Sequence, residues 1–338
     1  MRATSMTPAR TVAALTLAGA LTVSAAGPGH AATTPGARDE RVLLTVTDPR
    51  ITESSGLAVS LRHRGVLYTH NDSDDVPRFF AIGRDGRTRA TFTLADASAR
   101  DWEAMAAYRG DDGRAVLHLA DIGDNLDGAW PSVSIYRVRE PRVLRDATVP
   151  ATEFRFRYAD GARNAEALLV HPRTGRLYVA SREWEGGLYA APKKLSTDSV
   201  NVLRRVAHAP PFVTDGAFAP DGSRFVLQTY VSARIYRAPG QEVARISIPD
   251  QPQAESVAYT RNGRALLVGS EGRRSKIWRV PLSPDESGQT PTPTPAPRRT
   301  SQGPAGSLDD SGRFGALALV LAGVVAALVA RRASRRDR

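Results

Sequence analysis

The chain has 338 residues, no cysteine and a formal charge of +11. Without thiols it can form neither disulfides, nor a thiol nucleophile, nor a thiolate metal site. Most of the positive excess lies in the two ends, leaving about +5 between them, and no Lys/Arg run interleaved with aromatics occurs there, so nucleic acid is not an expected partner.

Residues 1–32 read as a secretory signal: Arg2 and Arg10 form a basic head, residues 11–26 an apolar stretch, and Gly29-His30-Ala31 a small-x-small cleavage site. Residues 41–46 then form a strand with no neighbour to pair with. After it, one pattern recurs. A lead segment of a polar or acidic residue followed by small and apolar residues appears as Ser55-Gly-Leu-Ala, Glu103-Ala-Met-Ala, Glu166-Ala-Leu-Leu, Asp215-Gly-Ala-Phe and Glu255-Ser-Val-Ala. Turn signals follow at Gly110-Asp-Asp-Gly, Arg173-Thr-Gly, Pro220-Asp-Gly and Arg261-Asn-Gly, where Gly and Asn accept a positive φ. Second strands begin at Val66, Val116, Leu177, Phe225 and Leu266. Third strands carry an aromatic at Phe79-Phe80, Tyr136, Tyr189, Tyr236 and Trp278, and fourth strands fall at residues 89–94, 153–158, 200–206 and 242–248.

The lead residues are separated by 48, 63, 49 and 40 residues, close to the roughly 40–50 of one four-stranded propeller blade. The expected fold is therefore all-β, a β-propeller of five four-stranded blades over residues 41–283. The last unit lacks a fourth strand, and residues 41–46 can supply it, closing the ring and removing its edges. Two stacked sheets are the competing arrangement, and the long stretch 138–165 leaves room for an extra strand pair. Residues 284–313 are rich in Pro, Thr and Ser and read as a stalk. Residues 314–330 carry no charge and, at about 1.5 Å per residue, reach roughly 25 Å as a membrane-spanning helix. Arg331, Arg332, Arg335 and Arg336 make residues 331–338 a cytoplasmic tail, so the propeller is expected outside the cell, a monomer held on the membrane by this helix.

In a blade the inner strand starts at the face where the second strand ends, so the two sets of end residues share one rim. The starts bring Glu53, Asp101, Glu103, Glu166, Asp215 and Glu255; Glu53 and Asp101 lie two residues ahead of lead positions and face the same way. The ends bring His70, Asn71, Asp72, Asp121, Arg182, Glu183, Tyr230 and Glu271. Carboxylates gathered at one mouth repel unless protons or a cation compensate them. Oxygen-rich, irregular surroundings suit calcium, whereas zinc finds a single nitrogen, on His70. The expected metal ligands are Glu53, Glu103, Asp121, Glu166, Asp215 and Glu255. The residues expected to hold an unknown extracellular ligand are His70, Asn71, Asp72, Arg182, Glu183, Tyr230 and Glu271. Turn-capping, or pairing with the many arginines, is the plainer role for each acid. Asn71-Asp-Ser-Asp-Asp and Asp121-Ile-Gly-Asp-Asn lack the twelve-residue calcium-loop spacing and read as turns. No Gly-x-Ser-x-Gly elbow points to a serine hydrolase, and Tyr136, Tyr189, Tyr236 and Trp278 are expected as packing between blades.

At Thr52-Glu-Ser-Ser-Gly-Leu-Ala, His70-Asn-Asp, Asp101-Trp-Glu-Ala-Met-Ala, Asn164-Ala-Glu-Ala-Leu, Gln253-Ala-Glu-Ser-Val-Ala and Gly269-Ser-Glu-Gly, the chain resembles exported bacterial propellers of the SdiA-regulated type. It is also similar to the phytase-like esterase group. The resemblance implies a propeller with an acidic, calcium-binding centre, and carries over most directly to Glu103, Glu166 and Glu255. Asp215-Gly-Ala and Ser55-Gly-Leu depart from the Glu-Gly pattern at the lead position. The expected function is a cell-surface binding or sensing module. The alternative is a calcium-assisted extracellular hydrolase of phosphoesters or lactones, with Asp121, Glu166 or His70 as base, and a metal-free interaction scaffold like WD-repeat propellers is a third possibility.

Overall fold

A computed structural model describes residues 38–288 apart from Asp74, Asp111 and Asp127. The signal, most of the stalk, the spanning helix and the basic tail read from the sequence lie outside the described residues. Among the described residues no helix is long and apolar enough to cross a membrane.

The apolar runs and turn signals become short strands. In chain order these are β1 (Arg41–Thr45), β2 (Ser54–Val59), β3 (Leu67–Asn71), β4 (Arg78–Ile82), β5 (Thr88–Ala95), β6 (Trp102–Arg109) and β7 (Ala115–Asp121). Then come β8 (Val133–Arg139), β9 (Ala147–Pro150), β10 (Thr152–Tyr158), β11 (Ala165–Val170), β12 (Leu177–Ser181), β13 (Gly187–Ala190) and β14 (Asn201–His208). The last are β15 (Val213–Phe218), β16 (Phe225–Thr229), β17 (Ser232–Ala238), β18 (Gln241–Ser247), β19 (Ala254–Tyr259), β20 (Ala265–Ser270) and β21 (Lys276–Pro281).

They pair as antiparallel meanders: β2-β3-β4-β5, β6-β7-β8-β10, β11-β12-β13-β14 and β15-β16-β17-β18. The final meander, β19-β20-β21, takes β1 as its outer strand, with Arg41 opposite Arg279 and Thr45 opposite Lys276. A strand from the start of the chain thus covers the edge that its end would leave open. The stretch 138–165 holds a single additional strand in place of a pair: β9 adds to the first meander, parallel to β5. A parallel pairing of β10 with β14 also joins the second and third meanders into one sheet.

The inner strands β2, β6, β11, β15 and β19 follow one another around an axis, and β19 packs back on β2, so the ring is closed and propeller-like. Burial follows from that placement. β11, β19 and β20 are buried along their whole length, whereas the outer β10 alternates between buried and exposed, as expected of strands covered on two faces and on one. A hydrophobic cluster fills the space between each adjacent pair of meanders, including the last and the first, where Leu44 and Val46 meet Ile51, Phe80 and Leu267. The recurrent aromatics Tyr136, Tyr189 and Tyr236 belong to these clusters; Tyr236, for example, stacks on Phe225 at 5.0 Å.

The folded unit runs past residue 283, where the stalk was expected to begin. Pro284–Ser287 form one helical turn, α1, capped by Ser283 with Glu286 returning to the Ser283 backbone. Arg38 holds this turn through a 2.5 Å ion pair with Glu286. Both ends of the described chain are thereby fastened to the final meander.

Candidate functional site

Each inner strand carries a β-bulge near its start, and the bulges decide which side chains reach the axis. In β6 the partners pass from Trp102↔Asp121 to Ala104↔Ala120, leaving Glu103 unpaired; Glu166 and Glu255 are left out in the same way in β11 and β19. An extra residue re-aims a side chain without ending the strand. In β2 the bulge falls between Ser55 and Ala58. There Gly56 adopts φ +67°, and a Cβ would lie 2.7–2.9 Å from His70 Nε2 and the backbone of Ala104 and Met105, so only glycine fits.

The rim just above is built by backbone bonds of one type. Asp72 N donates to Glu53 O, Arg182 N to Asn164 O, Glu271 N to Gln253 O and Gly123 N to Asp101 O, at 2.9–3.1 Å. These bonds set residues one or two places after the second strands beside those preceding the bulges, at one end of the axis. Glu53, Asp72, Asp101, Glu103, Glu166, Glu255 and Glu271 face this mouth, with Arg182 as their cationic neighbour.

Ligand oxygens of Asp72, Asp101 and Glu103 all lie within 4.8 Å of one another. Glu103 is buried, and its carboxyl is held well above the usual range first by burial and then by Asp72, Glu166 and Asp101. Asp72 is raised well above its usual value by burial and then by Asp101 and Glu166. Asp101 is raised by burial, although it accepts from Asn125 Nδ2 at 3.0 and 3.2 Å. Asp72 Oδ1 and Glu166 Oε2 are buried and accept no hydrogen bond from outside the carboxyl cluster; within it, Asp72 lies against Asp101 and Glu166 against Glu103, where a shared proton can bridge each pair. Gly123 lies directly against the group: a Cβ there would sit 2.3 Å from Glu103 Oε1 and 2.4 Å from Asp101 Oδ2. Crowded carboxyl oxygens with a glycine left open beside them fit a hard divalent cation, which replaces repulsion between like charges with attraction.

The other half of the mouth holds donors. Arg182 bonds Glu166 and the Tyr230 hydroxyl, and Tyr230 donates onward to Glu255 Oε1 at 3.2 Å. Gln253 Nε2 donates to the same oxygen at 2.6 Å. Burial raises the carboxyl of Glu271, and the neighbouring Glu255 raises it further. Burial likewise raises Tyr230, which stays a neutral phenol.

Several expected site residues do other work. The β15 bulge leaves out Thr214, pairing Val213 with Thr229 and Asp215 with Gln228, so Thr214 and not Asp215 holds the lead position. A shift of one residue turns a strand side chain to the opposite face. Asp215 is buried between strands, accepting from Gly216 N and Val257 N at 2.7 Å each, and fastens β15 to β19. His70 is fully buried; Nδ1 donates to Asn71 O at 2.9 Å, the ring meets Trp102 edge-on at 5.4 Å, and burial pushes its pKa down to about 4. Asn71 clamps the loops before β2 and after β3, accepting from Thr52 N and Glu53 N and donating to Arg50 O and Asp75. Asp121 accepts from Asp101 N at 2.9 Å and thus supports a mouth residue from behind. Glu183 is held by Ser181 Oγ at 3.1 Å and Arg163 at 3.5 Å, outside the cluster. Glu53 stands at the rim and accepts from Ser73 Oγ at 3.2 Å.

Asp72, expected among the ligand-binding residues, sits in the metal-compatible group, and Asp101, read only as sharing the face, is central to it. Gly123, Asn125 and Gln253 carry no acidic signal and were not expected. The segment Asp121-Ile-Gly-Asp-Asn that holds two of them was the available clue.

No family model matches the chain and no curated protein matches it, so the resemblance to the SdiA-regulated and phytase-like groups has no family match behind it. Among solved structures, a gluconolactonase from Xanthomonas campestris is similar at 16% identity and a TM-score of 0.43, over 73% of this chain and 91% of that one. The protein U3-55K is similar at 13% identity and a TM-score of 0.39, over 68% of each chain.

Proposed function

We propose that this chain is a five-bladed propeller whose mouth binds a divalent cation, calcium by its chemistry, through Asp72, Asp101 and Glu103. The observation that carries this reading is the close approach of three carboxyl groups, with Asp72 Oδ1 buried and given no donor from outside the group. Burying a charge without a partner is costly, and burying several side by side more so. When bound, calcium supplies positive charge to the cluster and a point of attachment for a ligand oxygen. The chain's own residues do the remaining work. Glu166 and Tyr230 hold the Arg182 guanidinium over the same mouth, where it can meet a negative or carbonyl oxygen. The end segments support an exported binding module anchored at the cell surface, with the ligand in this mouth.

A second reading, a cation-assisted hydrolase of lactones or phosphoesters, is favoured by the Arg182–Tyr230 pair, because such donors also steady the charge that develops on a substrate oxygen. Titration calorimetry of the purified protein with calcium tests the shared part of both readings. Saturable binding that is lost in Glu103→Gln is expected. Absence of binding at millimolar calcium refutes the cation site, and turnover of a lactone or phosphoester panel separates enzyme from binder.

A further inference from the structure

We propose that Trp184 and Phe212 form a stacking platform for the ring of a neutral saccharide at the edge of the mouth. The inference deepens the binding-module reading by naming its ligand class, and it rests on that reading only in placing the ligand at this end of the ring.

Trp184 is 74% exposed and Phe212 is 41% exposed. The two rings meet at 5.7 Å with their planes 65° apart, one supporting the other's edge and leaving aromatic faces open to solvent. An exposed tryptophan on a loose loop would mean little. This loop is braced on several sides. Phe212 N donates to Glu183 O at 3.2 Å, Ala209 N donates to Gly186 O at 2.9 Å, and the Arg205 guanidinium donates to both Glu185 O and Gly186 O. Gly186 packs so closely that a Cβ would lie 2.8 Å from Pro210 O. Phe212 itself sits at φ +55°, a left-handed conformation that a bulky side chain rarely adopts and that persists only where its surroundings impose it. Strain of this type concentrates where a side chain must be presented in a fixed direction.

Position links the platform to the mouth. Trp184 follows Arg182 by two residues, in the turn between β12 and β13, and Phe212 directly precedes β15 at the same end of the ring. Val231, 62% exposed, follows Tyr230. An apolar step therefore lies at the same end of the ring as the Arg182 guanidinium and the carboxylate acceptors of the mouth. A pyranose ring presents the matching chemistry: a C–H face for the indole and hydroxyls at its edge that both donate and accept. The carboxylates disfavour a polyanion such as nucleic acid. A quaternary ammonium would need an aromatic cage, and the Tyr230 ring already carries the Arg182 guanidinium, 5.4 Å from its centroid.

The test uses the purified full chain, with tryptophan fluorescence and calorimetry against cellohexaose, xylohexaose and hexa-N-acetylchitohexaose, each to about 10 mM, enough to detect millimolar binding. At least one sugar is expected to give a saturable change that Trp184→Ala weakens more than tenfold and Trp184→Tyr largely keeps. Because Trp184 is exposed, the Ala variant should melt with the parent protein, and this is checked on the same samples. No saturable response to any of the three sugars overturns the platform, as does equal binding by Trp184→Ala, or saturation by a hexa-arginine peptide alone. The same samples are titrated with calcium and with chelator. Failure of the platform leaves the calcium response intact, whereas failure of the cation site leaves sugar binding present in chelator.

Discussion

The cation site predicts that calcium and protons compete for the same carboxyl groups, and Glu103 shows how large the effect is. Its carboxyl is buried and raised well above the usual range, so without metal it keeps its proton to a higher pH in the folded chain than in the unfolded one. A group raised on folding contributes stability that is complete below its unfolded pKa, near 4.3, and is lost as pH rises toward the folded value. The loss is about 1.4 kcal/mol per pH unit for each such carboxyl over the interval between its unfolded and folded values. In a domain of this size 1 kcal/mol moves Tm by about 2–4 °C. In chelator, Tm should therefore fall by roughly 3–5 °C per pH unit above the unfolded value, and by more if Asp72 behaves alike. Calcium requires the ionised carboxylates, so its stabilisation grows with pH and offsets the fall; at a hundredfold excess over Kd it contributes about 2.7 kcal/mol. Differential scanning fluorimetry from pH 5 to pH 8, with and without calcium, reads both slopes. Glu103→Gln should flatten the chelator slope and remove most of the calcium effect. Parallel slopes with and without calcium would refute the reasoning.

Other substitutions separate metal, support and charge. Gly123→Ala puts a methyl group against Glu103 and Asp101, and should abolish the calcium-dependent Tm shift while the circular dichroism of the sheets is kept. Asp215→Asn presents one acceptor oxygen where two backbone N–H groups now bond the carboxylate; denaturant unfolding should show a cost of about 1–3 kcal/mol, with the calcium shift unchanged. Arg182→Met leaves the buried Glu166 without its cation and should cost about 3–5 kcal/mol by denaturant unfolding. Adding Glu166→Gln should recover much of that loss, because the carboxylate that lost its cation is then gone.

The Arg38–Glu286 pair is a smaller device that the composition of the stalk concealed. Glu286 is held below its usual value, mainly by its hydrogen bond with Arg38 against an opposing cost of burial, so its contribution is present above the unfolded pKa and fades as pH falls through the folded value. A Pro, Ser and Thr content that argues for extended chain over tens of residues does not forbid a single capped turn where a partner such as Arg38 is at hand.

Much of the architecture was legible in the residues. Alternation and turn chemistry placed the strands, as at Leu177–Ser181 and Phe225–Thr229, and the unpaired early strand at residue 41 implied its place beside the last meander. The same period of two put the acids of the lead positions and second-strand ends at one face, because the direction of a strand side chain is a local property of the backbone. What only the tertiary structure decided is which of them share a site. A bulge depends on how two strands pair, so Thr214 and not Asp215 took the lead position, and nothing in Val213-Thr214-Asp215 alone distinguishes them. Burial depends on distant neighbours: Trp102 encloses His70, and Gly123, silent in composition, opens the space between Asp101 and Glu103. Arg182 was legible as a residue of the mouth; only the ring shows that it is the cation beside Glu166.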